Sequence, residues 1–200
     1  MVFRRLLELI ILSKYYVLTF YSYEFSYLYG IIYTSVINMN LKKIIILFIV
    51  LLIDQITKYM ICMNDSFITV IDNFFYIDYT SNTGAAFSIL SGHSIMLIVL
   101  TIIVCVMIYH IMYSYKENKL NNLAFGILFG GILGNFLDRI FVGYVRDFIS
   151  FKFGNYYFPT FNIADIAIVI GVILLIISTI VEEMTKNGNK SRRSKRKKTR

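Results

Sequence analysis

Apolar residues run almost unbroken through four stretches of the chain, Ile44–Met63, Ser94–Met112, Leu123–Phe141 and Ile163–Val181. Each is close to the roughly 20 residues that cross a bilayer's hydrocarbon core. A helix satisfies its own backbone polar groups there, so the pattern predicts four spanning helices. Between the first two, residues 67–80 read FITVIDNFFYIDYT. β-Branched and aromatic residues alternate around Asp72-Asn73, which predicts strands and a turn. Between the last two, Phe151, Phe153, Tyr156, Tyr157 and Phe158 suit a membrane–water interface. Pro159, the single proline, rigidifies the entry to the fourth helix without breaking it. Asn162 is placed to cap that helix, with Asp165 at N3, where negative charge complements the helix dipole.

Composition agrees. Hydrophobic residues make up 58% of the 200 and charged residues 16%, against about 45–50% and about 25% in soluble domains; mean hydropathy is +0.67. A soluble globule of this size could not bury so much apolar surface, and a disordered chain is excluded for the same reason. The net charge of +8 resides in the end of the chain. Residues 186–200 carry nine Lys or Arg and no acid, so the rest sums to −1. This is a neutral body with a basic tail, read as a cytoplasmic anchor near anionic lipid and not as a nucleic-acid site. Lys42, Lys43, Lys116, Lys119 and the tail fall on one side of the four spans, and only Arg146 and Lys152 on the other. The positive-inside rule then puts both ends of residues 39–200 in the cytoplasm and the two polar connections outside.

The expected organisation is an N-terminal extension over 1–38, a membrane domain over 39–185 and a basic tail over 186–200. The extension holds seven of the sixteen tyrosines with Glu8, Lys14 and Glu24 scattered through it, and lacks a signal-peptide cleavage site. Met39-Asn40-Leu41-Lys42-Lys43 reads as a natural start, which makes 1–38 dispensable; the alternative is a fifth helix. Cys62 and Cys105 stand apart in apolar stretches and read as packing residues, and His93 and His110 are isolated. No metal-ligand spacing is present.

Ionisable residues inside a membrane span are costly and point to function. Here they gather toward the outer face: Asp54, Gln55 and Lys58 in the first helix, Asn135, Asp138 and Arg139 in the third, Asn162 and Asp165 at the start of the fourth, with Asp147 in the loop between. Asp54/Lys58 and Asn135/Arg139 are i,i+4 pairs, which a purely structural reading takes, with the Asn162/Asp165 spacing, as ion pairs and caps holding the bundle together. The aspartates ask for more. Two carboxylates held close share a proton, and such a pair can activate water and protonate a leaving amide. From the residues alone, any two of Asp138, Asp147 and Asp165 could form it. The glycines of the third stretch, Gly130 and Gly134 among them, read as close helix packing.

Five blocks carry a resemblance: Asp54-Gln55-Ile56-Thr57-Lys58; Asn82-Thr83-Gly84-Ala85-Ala86-Phe87; Gly130-Gly131-Ile132-Leu133-Gly134-Asn135-Phe136-Leu137-Asp138-Arg139; Val145-Arg146-Asp147-Phe148; and Phe161-Asn162-Ile163-Ala164-Asp165. Together they resemble the bacterial lipoprotein signal peptidases (signal peptidase II), in the family's order. The resemblance implies a bundle of four transmembrane helices with an extracytoplasmic β-rich cradle. It implies an aspartic endopeptidase of the bacterial inner membrane, acting without metal or cofactor. Its substrates would be diacylglyceryl-modified prolipoproteins, cut before the lipidated cysteine while their acyl chains stay in membrane lipid; the enzyme is expected to be a monomer. By the same resemblance Asp147 and Asp165 form the catalytic pair, with Asp54, Lys58, Asn82, Asn135, Asp138, Arg139 and Asn162 in support. Two departures stand out. Ser88 follows Phe87 where glycine is frequent, and Arg146 stands where the family often has valine; a cation beside Asp147 would favour its ionised form.

Two other readings compete. A proton pathway needs polar groups at several depths, whereas these carboxylates lie on one side and the second helix is nearly all apolar. A structural anchor working through its basic tail leaves the polar cluster unexplained.

Overall fold

Apolar runs become helices, and the helices outlast the runs. The computed structural model describes residues 40–64, 67–84 and 92–198; the expectations for 1–38 lie outside these. Helix α1 spans Leu41–Asn64, α2 Ser94–Ser114, α3 Lys119–Phe141 and α4 Ile163–Lys198. All four are long and apolar enough to cross a membrane, over Leu41–Met63, Ser94–Ser114, Lys119–Phe141 and Ile163–Asn187. They run past the apolar stretches because apolarity marks the hydrocarbon span, while helical hydrogen bonding continues into flanking polar residues. The largest difference is α4, expected to end near 181. Glu, Lys and Arg are good helix formers and no proline stops them.

Helix α3 is the centre of the bundle. Thirteen of its 23 residues are buried, whereas α2 buries only Leu97 and Met112. It packs chiefly on α4 and α1. Its glycines permit this. A Cβ on Gly131 would stand 2.5 Å from the Ala164 carbonyl of α4, and one on Gly134 would strike the Asp54 carboxylate of α1. The close packing read from the Gly130/Gly134 spacing is therefore present, and Gly134 also leaves room for a charged group. Cys62, expected as a packing residue, is exposed on α1, and Cys105 is half-buried.

The two outer connections form one antiparallel sheet, in the order β1 (Ile68–Ile71), β2 (Phe75–Asn82), β3 (Val145–Phe153), β4 (Tyr156–Tyr157). The expected turn is real, and Asn73 takes a positive φ of 58° within it, which asparagine tolerates. Four of the five aromatics expected at the interface lie in strands β3 and β4, and Phe75 and Phe151 are register partners with stacked rings 4.9 Å apart. Asp147, expected in a loop, lies on the strand β3. At the other end of the bundle, Lys43 pairs with Glu117 and Lys116 with Glu182, so the basic flanks read from the sequence share one end.

Candidate active site

Sheet register decides which side chains reach the bundle. Thr80 is paired with Asp147, Ser81 with Arg146 and Asn82 with Val145. Alternate strand residues face opposite ways, so Thr80, Asn82, Val145 and Asp147 share one face. That face lines a cavity of about 830 Å³, together with Asn135, Arg139 and Asp165. Phe158, Phe161, Ile166 and Val169 give it apolar walls. Asp147 is only 2% exposed.

Asn162 joins the two carboxylates. Its Nδ2 donates to Asp147 Oδ1 at 2.6 Å and to Asn135 Oδ1 at 3.0 Å. Its Oδ1 accepts from the Asp165 N–H at 3.0 Å, and its own N–H donates to Asp165 Oδ2 at 3.2 Å. The reciprocal pair is a capping box; the expected cap is made, and Asp165 answers it. Asn135 Nδ2 donates to Asp165 Oδ1 at 2.7 Å, and Asn82 Nδ2 to Asp147 Oδ2 at 2.9 Å. Each of the four carboxylate oxygens thus holds one of these N–H donors. Each keeps a second lone pair for a water or a shared proton. Arg139 gives Nη1 to the Asn135 carbonyl at 3.2 Å and Nη2 to the Gly84 carbonyl at 3.1 Å.

Behind this pair lies a second, fully buried cluster. Lys58 Nζ stands 2.9 Å from Asp54 Oδ2, 3.2 Å from Asp138 Oδ2 and 2.9 Å from Asn135 Oδ1. Asp54 Oδ1 also accepts from the Ala164 N–H of α4 at 2.9 Å. Arg146 Nη2 reaches Asp138 Oδ1 at 2.6 Å and Gln55 Oε1 at 2.8 Å. All nine residues singled out from the sequence therefore lie in one connected region. Asp54, Lys58 and Asp138 do not line the cavity. Asp138, the third carboxylate of the open choice, is tied to two cations and set back from the pair.

The sequence assigns Gln55 no role. Its amide contacts Asp54, Asp138, Arg146 and the Gly134 carbonyl. Its place beside Asp54 on a spanning helix was the available signal.

Arg146 corrects an expectation. It does not lie against Asp147, because neighbours on a strand point apart; its charge goes to Asp138. The Asp147 pKa is not lowered, as a cation beside it would lower it, but pushed up to about 6, first by burial and then by the Asp165 charge, against the pull of the Asn82 and Asn162 amides. Among the described residues no three His, Cys, Asp or Glu side chains form a metal-binding group.

The sequence pattern of the family described as Signal peptidase (SPase) II matches residues 46–181. The chain belongs to the signal peptidase II family. A lipoprotein signal peptidase of Bacillus pumilus (strain SAFR-032) is 42% identical over 143 residues, covering 69% of this chain and 92% of its own. One from Listeria monocytogenes serotype 4a (strain HCC23) is 39% identical over 145 residues, covering 70% and 94%. A solved bacterial membrane enzyme matches the fold with a TM-score of 0.64 at 38% identity, over 72% of this chain and 90% of that one. A second matches with a TM-score of 0.60 at 40% identity, over 68% and 91%. Four helices and a small sheet in this family make the chain a multi-pass membrane protein of a protease family, and the matched span holds all nine residues.

Proposed function

We propose that the chain is an aspartic endopeptidase that removes signal peptides from diacylglyceryl-modified prolipoproteins, cutting before the lipidated cysteine, with Asp147 and Asp165 as its catalytic residues. One observation carries the reading: two carboxylates from different elements, β3 and α4, line one cavity and are both held by Asn162, whose side-chain Nδ2 donates to Asp147 and whose backbone N–H donates to Asp165.

The chemistry follows from that arrangement. Asp147, with its proton held up to about pH 6, is the acid of the pair, and Asp165 is the base. A water held between them loses a proton to Asp165 as its oxygen bonds to the scissile carbonyl carbon. The carbonyl oxygen takes the Asp147 proton, and the Arg139 guanidinium steadies the charge developing there. When the tetrahedral centre collapses, that hydroxyl proton returns to Asp147, the C–N bond breaks and the leaving nitrogen takes the proton from Asp165. One water is consumed, and both carboxyls regain their starting states.

Lys58 acts one step away. Its ammonium fixes Asn135 Oδ1, so the amide must present Nδ2 to Asp165. The apolar walls offer the acyl chains of the substrate a path to the surrounding lipid. The sheet and the catalytic pair face outward from the inner membrane, with the basic ends in the cytoplasm. One chain supplies both carboxylates, in keeping with a monomer.

The test is cleavage by the purified full chain in detergent. A diacylglyceryl-modified prolipoprotein is cut before its cysteine, and the same protein without the lipid is cut far more slowly. Equal cleavage of both, or cleavage elsewhere, overturns the reading.

A further inference from the structure

Arg146 makes four hydrogen bonds that the mechanism above does not use. Its N–H donates to Asp138 Oδ2 at 3.0 Å and its Nε to the same oxygen at 3.3 Å. Its Nη2 reaches Asp138 Oδ1 and Gln55 Oε1. The side chain is 13% exposed and the carboxylate it holds is fully buried. Asp54 and Asp138 together carry two negative charges, and Lys58 stands between both. Arg146 is the second cation that makes this buried group neutral. It is also the residue before Asp147, so its backbone bond to α3 fixes where β3 begins.

We propose that Arg146 is a positioning residue of the peptidase site: it neutralises Asp138, which keeps Lys58 shared with Asp54 and Asn135, and it sets the register from which Asp147 enters the cavity. The inference rests on the Asp147/Asp165 reading of the site.

Its physical content is a competition for one ammonium. Without Arg146, Asp138 is a buried carboxylate with Lys58 as its sole cation among these contacts, and such a charge is costly. Lys58 is drawn toward it and away from Asn135 Oδ1, which frees the Asn135 amide that holds Asp165. The charges facing the pair are then Lys58 from α1, Asp138 and Arg139 from α3, and Asp147 and Asp165 themselves. The balance shifts by one negative charge, which holds the Asp147 proton to higher pH. Arg146 itself stays charged: burial opposes the charge, and the Asp138 carboxylate more than offsets that.

The test compares the full chain with Arg146→Val, Arg146→Lys and the Asp138→Asn/Arg146→Val double variant, on lipidated prolipoprotein across pH. Arg146→Val lowers kcat by about ten- to a hundredfold, the cost of a small misplacement, with KM little changed and the limb that reports Asp147 moved to higher pH. Arg146→Lys keeps that limb in place, because the charge remains, and loses part of kcat, because the fork is gone. The double variant cleaves faster than Arg146→Val, because the uncompensated carboxylate is gone. If Arg146→Val does not fold, the lysine and double variants carry the test: an unmoved limb in the first and measurable cleavage by the second support the proposal. Wild-type kcat and pH profile in Arg146→Val overturn it, as does a double variant no better than the single. A wild type that leaves the substrate intact overturns the peptidase reading and this inference together.

Discussion

Asp147→Asn separates what the site needs for chemistry from what the fold prefers. The Asp147 carboxyl rises from the ordinary 3.8 to about 6 because the fold buries it beside Asp165. A folded-state value above the unfolded one means that the folded protein binds this proton more tightly. The stability so gained is full below 3.8 and is lost as pH rises through about 6. A shift of about two units is worth about 3 kcal/mol, so above that range the ionised wild type carries a cost of about that size. Asparagine cannot ionise and does not carry it. The variant also rearranges the amides of Asn82 and Asn162, which donate to Asp147, since its own NH₂ must face one of them. That penalty is the same at every pH, so the difference between the two proteins isolates the proton. Denaturation in one detergent, from pH 3.8 to well above 6, gives the stability of wild type and variant. The variant gains on wild type with rising pH, by up to about 3 kcal/mol, and then holds level. A difference that does not change with pH, or that falls, refutes the buried-carboxyl argument.

Three further outcomes follow from the geometry. Lys58→Met leaves Asp54 and Asp138 buried without their shared ammonium, and denaturation in detergent should show a loss of about 3–5 kcal/mol. Gly134→Ala puts a methyl group into the Asp54 carboxylate and against Ala164; the same assay should show a loss of about 1–3 kcal/mol, and none would mean that α1, α3 and α4 are less closely packed than described. Asn162→Ala removes the α4 cap, worth about 1 kcal/mol, together with the Nδ2 bonds to Asp147 and Asn135, so cleavage should fall far more than stability does.

Much of this was legible in the sequence, for identifiable reasons. Spanning helices follow from apolar length, and the Asn162/Asp165 cap from three-residue spacing at a helix start. The Asp54/Lys58 pair follows from i,i+4 spacing. What local spacing could not give was the sheet. Asp147 was expected in a loop because residues 145–153 lack the strict alternation that marks a half-buried strand: Asp147 and Phe148 are both buried. Without the strand, nothing in the local sequence shows that Arg146 and Asp147 point apart. The choice among three aspartates also needed three dimensions. Asp138 is one turn from Asn135 on α3, yet its carboxylate meets Lys58 from α1 and Arg146 from β3, contacts between residues more than 70 positions apart in the first case. Gln55 gave no chemical signal of its own; its role lies in four partners on three elements.

The central claim is that Asp147 and Asp165 perform the cleavage and Asp138 does not. The most direct test measures cleavage of a diacylglyceryl-modified prolipoprotein by the full-length wild type, Asp147→Asn, Asp165→Asn and Asp138→Asn, each confirmed as folded in the same detergent. The account predicts that wild type cuts, that the Asp147 and Asp165 variants are each inactive, and that the Asp138 variant retains reduced activity. Appreciable cleavage by either of the first two variants, or an Asp138 variant as dead as they are, would contradict it.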